Sequence, residues 1–244
     1  MTRKTNPPLS RCPLRIDWET ALDLITGPWI RKGFGLRHLW IGYSGSGKTV
    51  ANCYLSERLK QEGIVTIATD QKARVSRYDD RVVTSEEELN EVDERSCVVR
   101  GMRSGRIEDR VNFDRLAKRI WHIGQRGVRV ALVIDELSDA QKAEKYFEAP
   151  RGQYPWMGAL YRQGRELGVT IAAATQLPQE IPRSAYSLSD SIGFFRQDGH
   201  EAEYYQRLHI LSPEDVDHVA KLPQYAFLLW RRGDKERYIS QFPL

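Results

Sequence analysis

The chain has 244 residues, with 37 Lys and Arg against 33 Asp and Glu, so its formal net charge is only +4. This length suits one large α/β domain, and the mild charge permits an anionic partner without requiring one. Its three cysteines lack C-x-x-C spacing, and no run approaches the roughly 20 apolar residues of a membrane span, which argues against a disulfide framework, a zinc site and membrane insertion.

The N-terminal segment is predicted to be an arm that precedes the main fold. Pro7, Pro8 and Pro13 disfavour regular structure there. We therefore divide the chain into an N-terminal arm or extension at residues 1–30 and one domain at residues 31–244.

Residues 42–49 match the phosphate-binding pattern G-x-x-x-x-G-K-[ST] and follow an apolar run that predicts a strand. Apolar side chains then recur at helical spacing up to Gly63, so strand, loop and helix come in the order that this motif requires. Lys48 can reach the β- and γ-phosphates, and the Thr49 hydroxyl can ligate Mg²⁺. An ordinary Gly/Ser turn is the alternative. The predicted nucleotide-binding residues of the loop are Gly42, Ser44, Gly45, Ser46, Gly47, Lys48 and Thr49.

Further strands and helices follow this loop. The β-branched run at residues 64–69 predicts a second buried strand that ends at Asp70. Residues 81–84 and 97–99 predict shorter strands, and apolar residues at helical spacing predict a helix across residues 113–121.

An apolar run at residues 128–134 leads directly into Asp135 and Glu136, which is the Walker B pattern. Parallel strands joined by right-handed crossovers bring their carboxyl ends to one edge of a sheet, and we expect these acids to lie beside Lys48 and Thr49. Asp135 can hold Mg²⁺ together with Thr49, and Glu136 can polarise an attacking water. A surface turn after a core strand is the alternative.

The C-terminal half predicts a helix at residues 157–167 and a strand at residues 169–174 that leads into Gln176. Gln176 would then be able to hydrogen-bond water or the γ-phosphate. Residues 189–195 and 225–230 predict two more strands, the latter turning back as a hairpin, and Ser212 predicts a helix start. The fold class is α/β, with a central mostly parallel sheet flanked by helices and a C-terminal antiparallel hairpin.

The order of these motifs resembles the FtsK/HerA superfamily of DNA-pumping ATPases. In that superfamily an Arg-x-x-Gly-[Val/Ile] segment, here Arg165 to Val169, leads into a strand ending in Thr-Gln, followed closely by proline, here Pro178. Asp70 and Lys72 are similar to its Asp-x-Lys motif. The resemblance covers residues 36–230 and is strongest to viral genome-packaging ATPases.

The resemblance implies a RecA-like P-loop NTPase core that uses ATP and Mg²⁺ to move double-stranded DNA during virus or phage assembly. It also implies a hexameric or pentameric ring, docked on a capsid or portal vertex protein, in the host cytoplasm or in the virion. In such rings an arginine of the neighbouring subunit completes the site. Arg165 is the first candidate for this catalytic role and Arg162 the second, with Arg183 and Arg196 as weaker alternatives.

DNA grip would come from basic loops that contact backbone phosphates. The candidates are Lys142, Lys145, Arg151, Arg103 and Arg106, with Tyr146, Tyr154 and Trp156 interleaved, although half-buried packing also explains such aromatic residues. Two other functions remain open: a phage assembly or secretion ATPase that acts on a protein substrate, and a P-loop small-molecule kinase.

Overall fold

The computed structural model describes residues 12–70, 81–84, 88, 96–100, 107–137, 156–176, 179, 181 and 183–243. The strands are β1 (Leu14–Arg15), β2 (Arg37–Ile41), β3 (Val65–Asp70), β4 (Arg81–Val83), β5 (Cys97–Arg100), β6 (Val130–Ile134), β7 (Val169–Thr175), β8 (Ser191–Phe195), β9 (Ala226–Arg231) and β10 (Tyr238–Gln241). The helices are α1 (Trp18–Ile30), α2 (Lys48–Gln61), α3 (Ile107–Gln125), α4 (Trp156–Gln163), α5 (Arg183–Leu188), α6 (Gly199–Arg207) and α7 (Pro213–Ala220), and the 3₁₀ turn Gly164–Leu167 follows α4.

All these strands join one sheet in the order β1-β10-β9-β8-β2-β7-β6-β3-β5-β4. The strands from β8 across to β4 are parallel, whereas β9 is antiparallel to both β8 and β10. The predicted α/β class, the mostly parallel sheet and the C-terminal hairpin are confirmed.

The parallel strands give the sheet two edges of different kind. At the carboxyl edge, β2, β6 and β7 end at Ile41, Ile134 and Thr175. At the amino edge, β2 begins at Arg37 and β7 at Val169. Register pairs Ile41 with Thr175, so the phosphate-loop strand and the strand before Gln176 end side by side.

Side chains of the central strands are buried on both faces of the sheet, as expected for parallel strands covered by helices. Along β2, Leu39 and Ile41 pack in the cluster that includes α3 and α4 residues, whereas Trp40 packs in the cluster beneath α1 and α2. Gly193 lies directly against the Trp40 ring. A Cβ at position 193 would stand 2.2 Å from the indole, so a side chain has no space there. Packing on both faces of the sheet fixes the positions of the strand ends from which the loops at the carboxyl edge begin.

Residues near the N-terminus pack on the sheet, whereas the prolines of that segment predict an arm outside the domain. β1 pairs with β10, and α1 begins where the Asp17 carboxylate accepts a hydrogen bond from the Thr20 N–H at 2.8 Å. Trp18, Leu22 and Ile25 of α1 are buried. Residues 12–30 therefore share the sheet and the core with the described residues that follow, although the sequence separates them as an arm.

Local sequence signals account for several helix ends. Ser212 and Asp215 form the capping box that starts α7, which confirms the predicted start. α3 begins at Ile107, earlier than the apolar spacing predicts, and α5 and α6 were not predicted. None of the helices in the described part of the chain combines the length and the apolarity that crossing a bilayer requires.

Candidate nucleotide site

The predicted phosphate loop lies at the carboxyl edge, between the end of β2 and the start of α2. Gly47 has a φ of 116°, a backbone conformation that residues with a side chain rarely adopt. A Cβ at this position would stand 2.9 Å from Cδ1 of Tyr225. Glycine is therefore required at this point both by backbone conformation and by space. α2 starts directly after Gly47, so its N-terminal N–H groups point toward the loop.

The Lys48 side chain is folded into the loop. Its Nζ donates hydrogen bonds to the carbonyl oxygens of Gly42 and Tyr43, each at 2.7 Å, and the residue is only 6% exposed. The loop thus holds a positive charge at its centre, where it can neutralise phosphate oxygens.

Thr49 and Asp135 meet across the gap between α2 and β6. The Thr49 hydroxyl donates to Oδ1 of Asp135 at 2.6 Å, and Asp135 is buried. A hydroxyl and a carboxylate oxygen at this separation are the hard oxygen ligands that Mg²⁺ prefers when phosphates and waters complete its shell. The two residues predicted to hold the metal therefore fit it.

Glu136 and Gln176 are joined across the ends of two neighbouring strands. The backbone N–H of Gln176 donates to Oε1 of Glu136 at 3.1 Å, and Glu136 is buried. Gln176 lines the same pocket as Thr49 and Asp135, and Glu136 follows Asp135 directly in the chain. The predicted water-polarising carboxylate is thus held directly beside the pocket.

The structure brings most of the predicted nucleotide-binding residues to one pocket. Its lining consists of Ser44, Gly45, Gly47, Lys48, Thr49, Val50, Asp135, Gln176 and Tyr225. A second pocket borders the other side of the loop and is lined by Tyr43, Ser44, Gly45, Ser46, Arg196, Pro223 and Gln224. Gly42 contributes the carbonyl that holds Lys48.

Three residues that support the site were not predicted from the sequence. Asn52 of α2 donates from Nδ2 to the Ile134 carbonyl at 3.1 Å, which keeps Thr49 level with Asp135. Burial and the nearby Asp198 raise the pKa of the Tyr43 hydroxyl to about 12, and its oxygen accepts the Asp198 N–H at 2.6 Å. No local pattern marks Tyr225, because its position depends on the turn before β9.

The candidate trans arginines are spread over both edges of the sheet. Arg165 lies at the amino edge, where its guanidinium pairs with Asp190 and stands 4.2 Å from the centre of the Trp29 ring. Arg162 is exposed on α4. Arg183 is exposed at the start of α5, and Arg196 is exposed just after β8. Arg165 therefore does not approach the phosphate loop of its own subunit.

Most candidates for DNA contact, together with Lys72 and Pro178, fall outside the described residues. Trp156 is the exception, and it packs against α3. Its ring centre stands 6.1 Å from that of Trp121, and its backbone N–H donates to Asp114 at 2.9 Å. Burial raises the pKa of that Asp114 carboxyl. The packing alternative holds for Trp156.

Comparison with known proteins finds one similar phage protein and many solved structures of similar fold. No protein-family model matches the chain. Protein P9 of Pseudoalteromonas phage PM2 is 26% identical over 151 residues, which cover 61% of this chain and 63% of that relative. The match thus spans less than two thirds of the length of the phage protein.

Solved structures extend the comparison over most of the chain. The genome-packaging NTPase B204 of Sulfolobus turreted icosahedral virus 2, in complex with ATPγS, superposes with a TM-score of 0.67 at 20% identity, covering 86% of this chain and 97% of B204. The bacterial conjugative coupling protein TrwBdeltaN70 superposes with a TM-score of 0.66 at 9% identity, covering 98% and 96%. The chain has the P-loop NTPase fold of these proteins, which confirms the fold that its motifs predicted.

Proposed function

We propose that this chain is an ATP-hydrolysing motor that moves double-stranded DNA, most specifically a packaging ATPase of a virus or phage. The observation that carries the proposal is the convergence of Lys48, Thr49, Asp135, Glu136 and Gln176 at one edge of the sheet. The names of the similar proteins, a genome-packaging NTPase and a conjugative coupling protein, support DNA as the substrate.

Binding of the triphosphate rests on the loop and on α2. Backbone N–H groups of the loop and Lys48 hold the β- and γ-phosphates, and the N-terminus of α2 adds favourable dipole charge. Thr49 and Asp135 would hold Mg²⁺, which when bound neutralises charge on the β- and γ-oxygens.

Hydrolysis requires a water placed in line with the γ-phosphorus. Glu136 orients this water and accepts its proton, while Gln176 holds the water or the γ-phosphate by hydrogen bonding. The water oxygen bonds to the γ-phosphorus as the bond to the bridging oxygen breaks, and ADP and phosphate result. The hydrogen bond from the Gln176 N–H fixes the Glu136 carboxylate for this task.

The site would be completed by a neighbouring subunit in a ring of six or five. A ring forms when each subunit offers one surface to a different surface of the next, so the arginines of one copy can face the loop of another. Arg165 or Arg162 supplies the added positive charge in this proposal. A capsid or portal vertex protein would anchor the ring, in the host cytoplasm or in the virion.

The deciding experiment measures ATP turnover with and without linear duplex DNA, from about 50 to 300 mM salt, because grip on backbone phosphates weakens steeply with salt. We expect DNA to stimulate turnover at low salt and the stimulation to vanish at high salt. Lys48→Ala is the inactive control. Turnover that depends on a small-molecule acceptor would favour a kinase, and stimulation by a protein but not by DNA would favour a protein-moving ATPase.

The trans arginine is tested by mixing two inactive variants. Arg165→Ala and Lys48→Ala subunits, mixed, should regain part of the wild-type turnover, because some interfaces then pair an intact loop with an intact arginine. Arg162→Ala is tested against Lys48→Ala in the same way. Failure of both mixtures to recover turnover would contradict a trans role for either residue.

A further inference from the structure

The segment before β9 borders the phosphate loop on the side opposite Asp135. In the sheet order, β8 and β9 lie on one side of the loop strand β2, whereas β7 and β6, which carry Gln176 and Asp135, lie on the other. The γ-phosphate end of a bound triphosphate must face Asp135 and Gln176. The nucleoside end therefore leaves the loop toward β8 and β9.

Tyr225 stands at this exit. It lines the pocket together with Lys48, Thr49 and Asp135, and it is half-buried. Its Cδ1 lies 2.9 Å from where a Cβ on Gly47 would stand, so the ring leans against the last residue of the loop. An aromatic ring is thus available where the nucleoside passes.

The backbone of Tyr225 is in an unfavourable conformation. Its φ is 64°, and among the described residues only His209 is another non-glycine residue with positive φ. A bulky residue in the left-handed region is uncommon and persists when neighbouring contacts enforce it, often at ligand sites. Here the Phe242 N–H donates to the Tyr225 carbonyl at 3.2 Å, and the Ala226 N–H donates to the Pro223 carbonyl at 3.2 Å.

The neighbouring Gln224 ties the same segment to the loop. Its Nε2 donates to the Gly45 carbonyl at 3.4 Å, and its own carbonyl accepts Nε2 of Gln241 at 3.3 Å. The strained turn is therefore fixed both to the phosphate loop and to β10. These contacts give the Tyr225 ring a defined position relative to the phosphates.

We propose that Tyr225 binds the nucleoside part of the triphosphate, with its ring packed against the base or ribose. This inference rests on the proposed ATP binding and adds the residue that distinguishes a nucleotide from a bare polyphosphate. Glycine or asparagine would adopt this backbone conformation with less strain. The backbone therefore does not require tyrosine here, and we infer that its aromatic ring has the functional role.

The test compares binding of ATPγS and of inorganic tripolyphosphate by titration calorimetry in the presence of Mg²⁺. Tyr225→Gly removes the ring and tolerates the φ of 64°. We expect ATPγS to bind about tenfold more weakly, because stacking on an aromatic side chain contributes at this level, and tripolyphosphate affinity to stay within about twofold. Tyr225→Phe should bind both ligands as wild type does.

His209→Gly is the matched control, since it makes the same backbone change at an exposed residue outside the pocket. It should leave both affinities unchanged. Unchanged ATPγS affinity in Tyr225→Gly, or an equal loss for both ligands, would overturn the inference while leaving ATP binding intact. A wild-type protein that binds neither ligand would instead refute the proposed function, and this inference with it.

Discussion

The carboxyl edge and the amino edge of the parallel strands both bury charged side chains. The two edges differ in whether those side chains also line a pocket. At the carboxyl edge, Lys48, Thr49 and Asp135 line a pocket, while Lys48 bonds to the loop carbonyls and Thr49 bonds to Asp135. At the amino edge, Arg37 and Asp190 are each 4% exposed and are bound to protein groups. In the proposed function, similar burial therefore serves ligand binding at the carboxyl edge and stability of the fold at the amino edge.

The contacts of the amino edge explain its structural role. Arg37 donates from its guanidinium to the carbonyls of Tyr161 and Leu160, and its backbone N–H donates to Oδ2 of Asp190 at 2.9 Å. Oδ1 of Asp190 pairs with Arg165. Burial and the charge of Arg165 lower the pKa of Arg37 to about 10, which leaves it charged at neutral pH. The network joins β2 to α4 and to the segment before β8.

The largest effect on activity is expected at the carboxyl edge. Lys48→Ala removes the ammonium inside the loop and should reduce ATP turnover by about 100-fold or more, because phosphate charge is then left without its main side-chain partner. The control is Lys60→Ala, in which the lost side chain belongs to a surface pair with Glu57 at 2.9 Å. Steady-state turnover checks the prediction, and equal rates for the two variants would contradict it.

The largest effect on stability is expected at the amino edge. Asp190→Asn removes the buried carboxylate that pairs with the partly exposed Arg165 and accepts the Arg37 N–H, and it should lower the free energy of unfolding by about 3 kcal/mol. ATPγS affinity of the folded variant should stay within about twofold of wild type, since the Asp190 side chain bonds to Arg37 and Arg165 at the amino edge, the opposite edge from the phosphate loop.

Urea unfolding provides the measurement for this variant. Asp234→Asn is its control, because Asp234 pairs with Arg231 at 3.1 Å between half-exposed side chains and such pairs contribute less than about 1 kcal/mol. Equal stability of Asp190→Asn and wild type would show that the amino edge does not act as a structural network.

A smaller, pH-dependent effect is expected at His38, next to Arg37 in β2. Complete burial lowers the pKa of His38 to about 3, from 6.5 when it is exposed. Its Nδ1 lies 2.7 Å from the Ser191 hydroxyl. Below pH 6.5 the unfolded chain binds a proton that the folded chain does not, so stability falls as pH decreases from about 6.5 toward about 3.

Replacing His38 removes this dependence. The stability difference between wild type and His38→Asn should shrink by about 2 kcal/mol between pH 7 and pH 5. His200→Asn, at a 90% exposed side chain, should run parallel to wild type. Urea unfolding at several pH values provides the data, and parallel curves for His38→Asn and wild type would contradict the assignment.

The same contrast explains how much the sequence could predict. The loop and the Asp135-Glu136 pair are local patterns, and parallel topology requires their strands to end together, so Lys48 and Thr49 could be assigned beforehand. The Arg165–Asp190 pair joins segments 25 residues apart at the opposite edge, and no local pattern encodes it. The motif around Arg165 predicts a trans arginine and gives no sign of its pairing with Asp190. The trans role stays a prediction.

Two other features were hidden for physical reasons. Pro7, Pro8 and Pro13 predict an irregular arm, but α1 forms because Asp17 caps it and Trp18 and Ile25 reach the core. Tyr225 adopts a left-handed conformation that propensity assigns to glycine, and only the contacts of the turn enforce it. Tertiary contacts decided both cases.

The central claim is that Lys48, Thr49, Asp135, Glu136 and Gln176 act on one triphosphate, and Glu136→Gln tests it most directly. The glutamine retains an oxygen that can accept the Gln176 N–H, so the site keeps its shape but loses the group that takes the proton from water. ATPγS affinity should remain near wild type while ATP turnover falls by about 100-fold or more. Turnover equal to wild type, with ATPγS binding intact, would contradict the account.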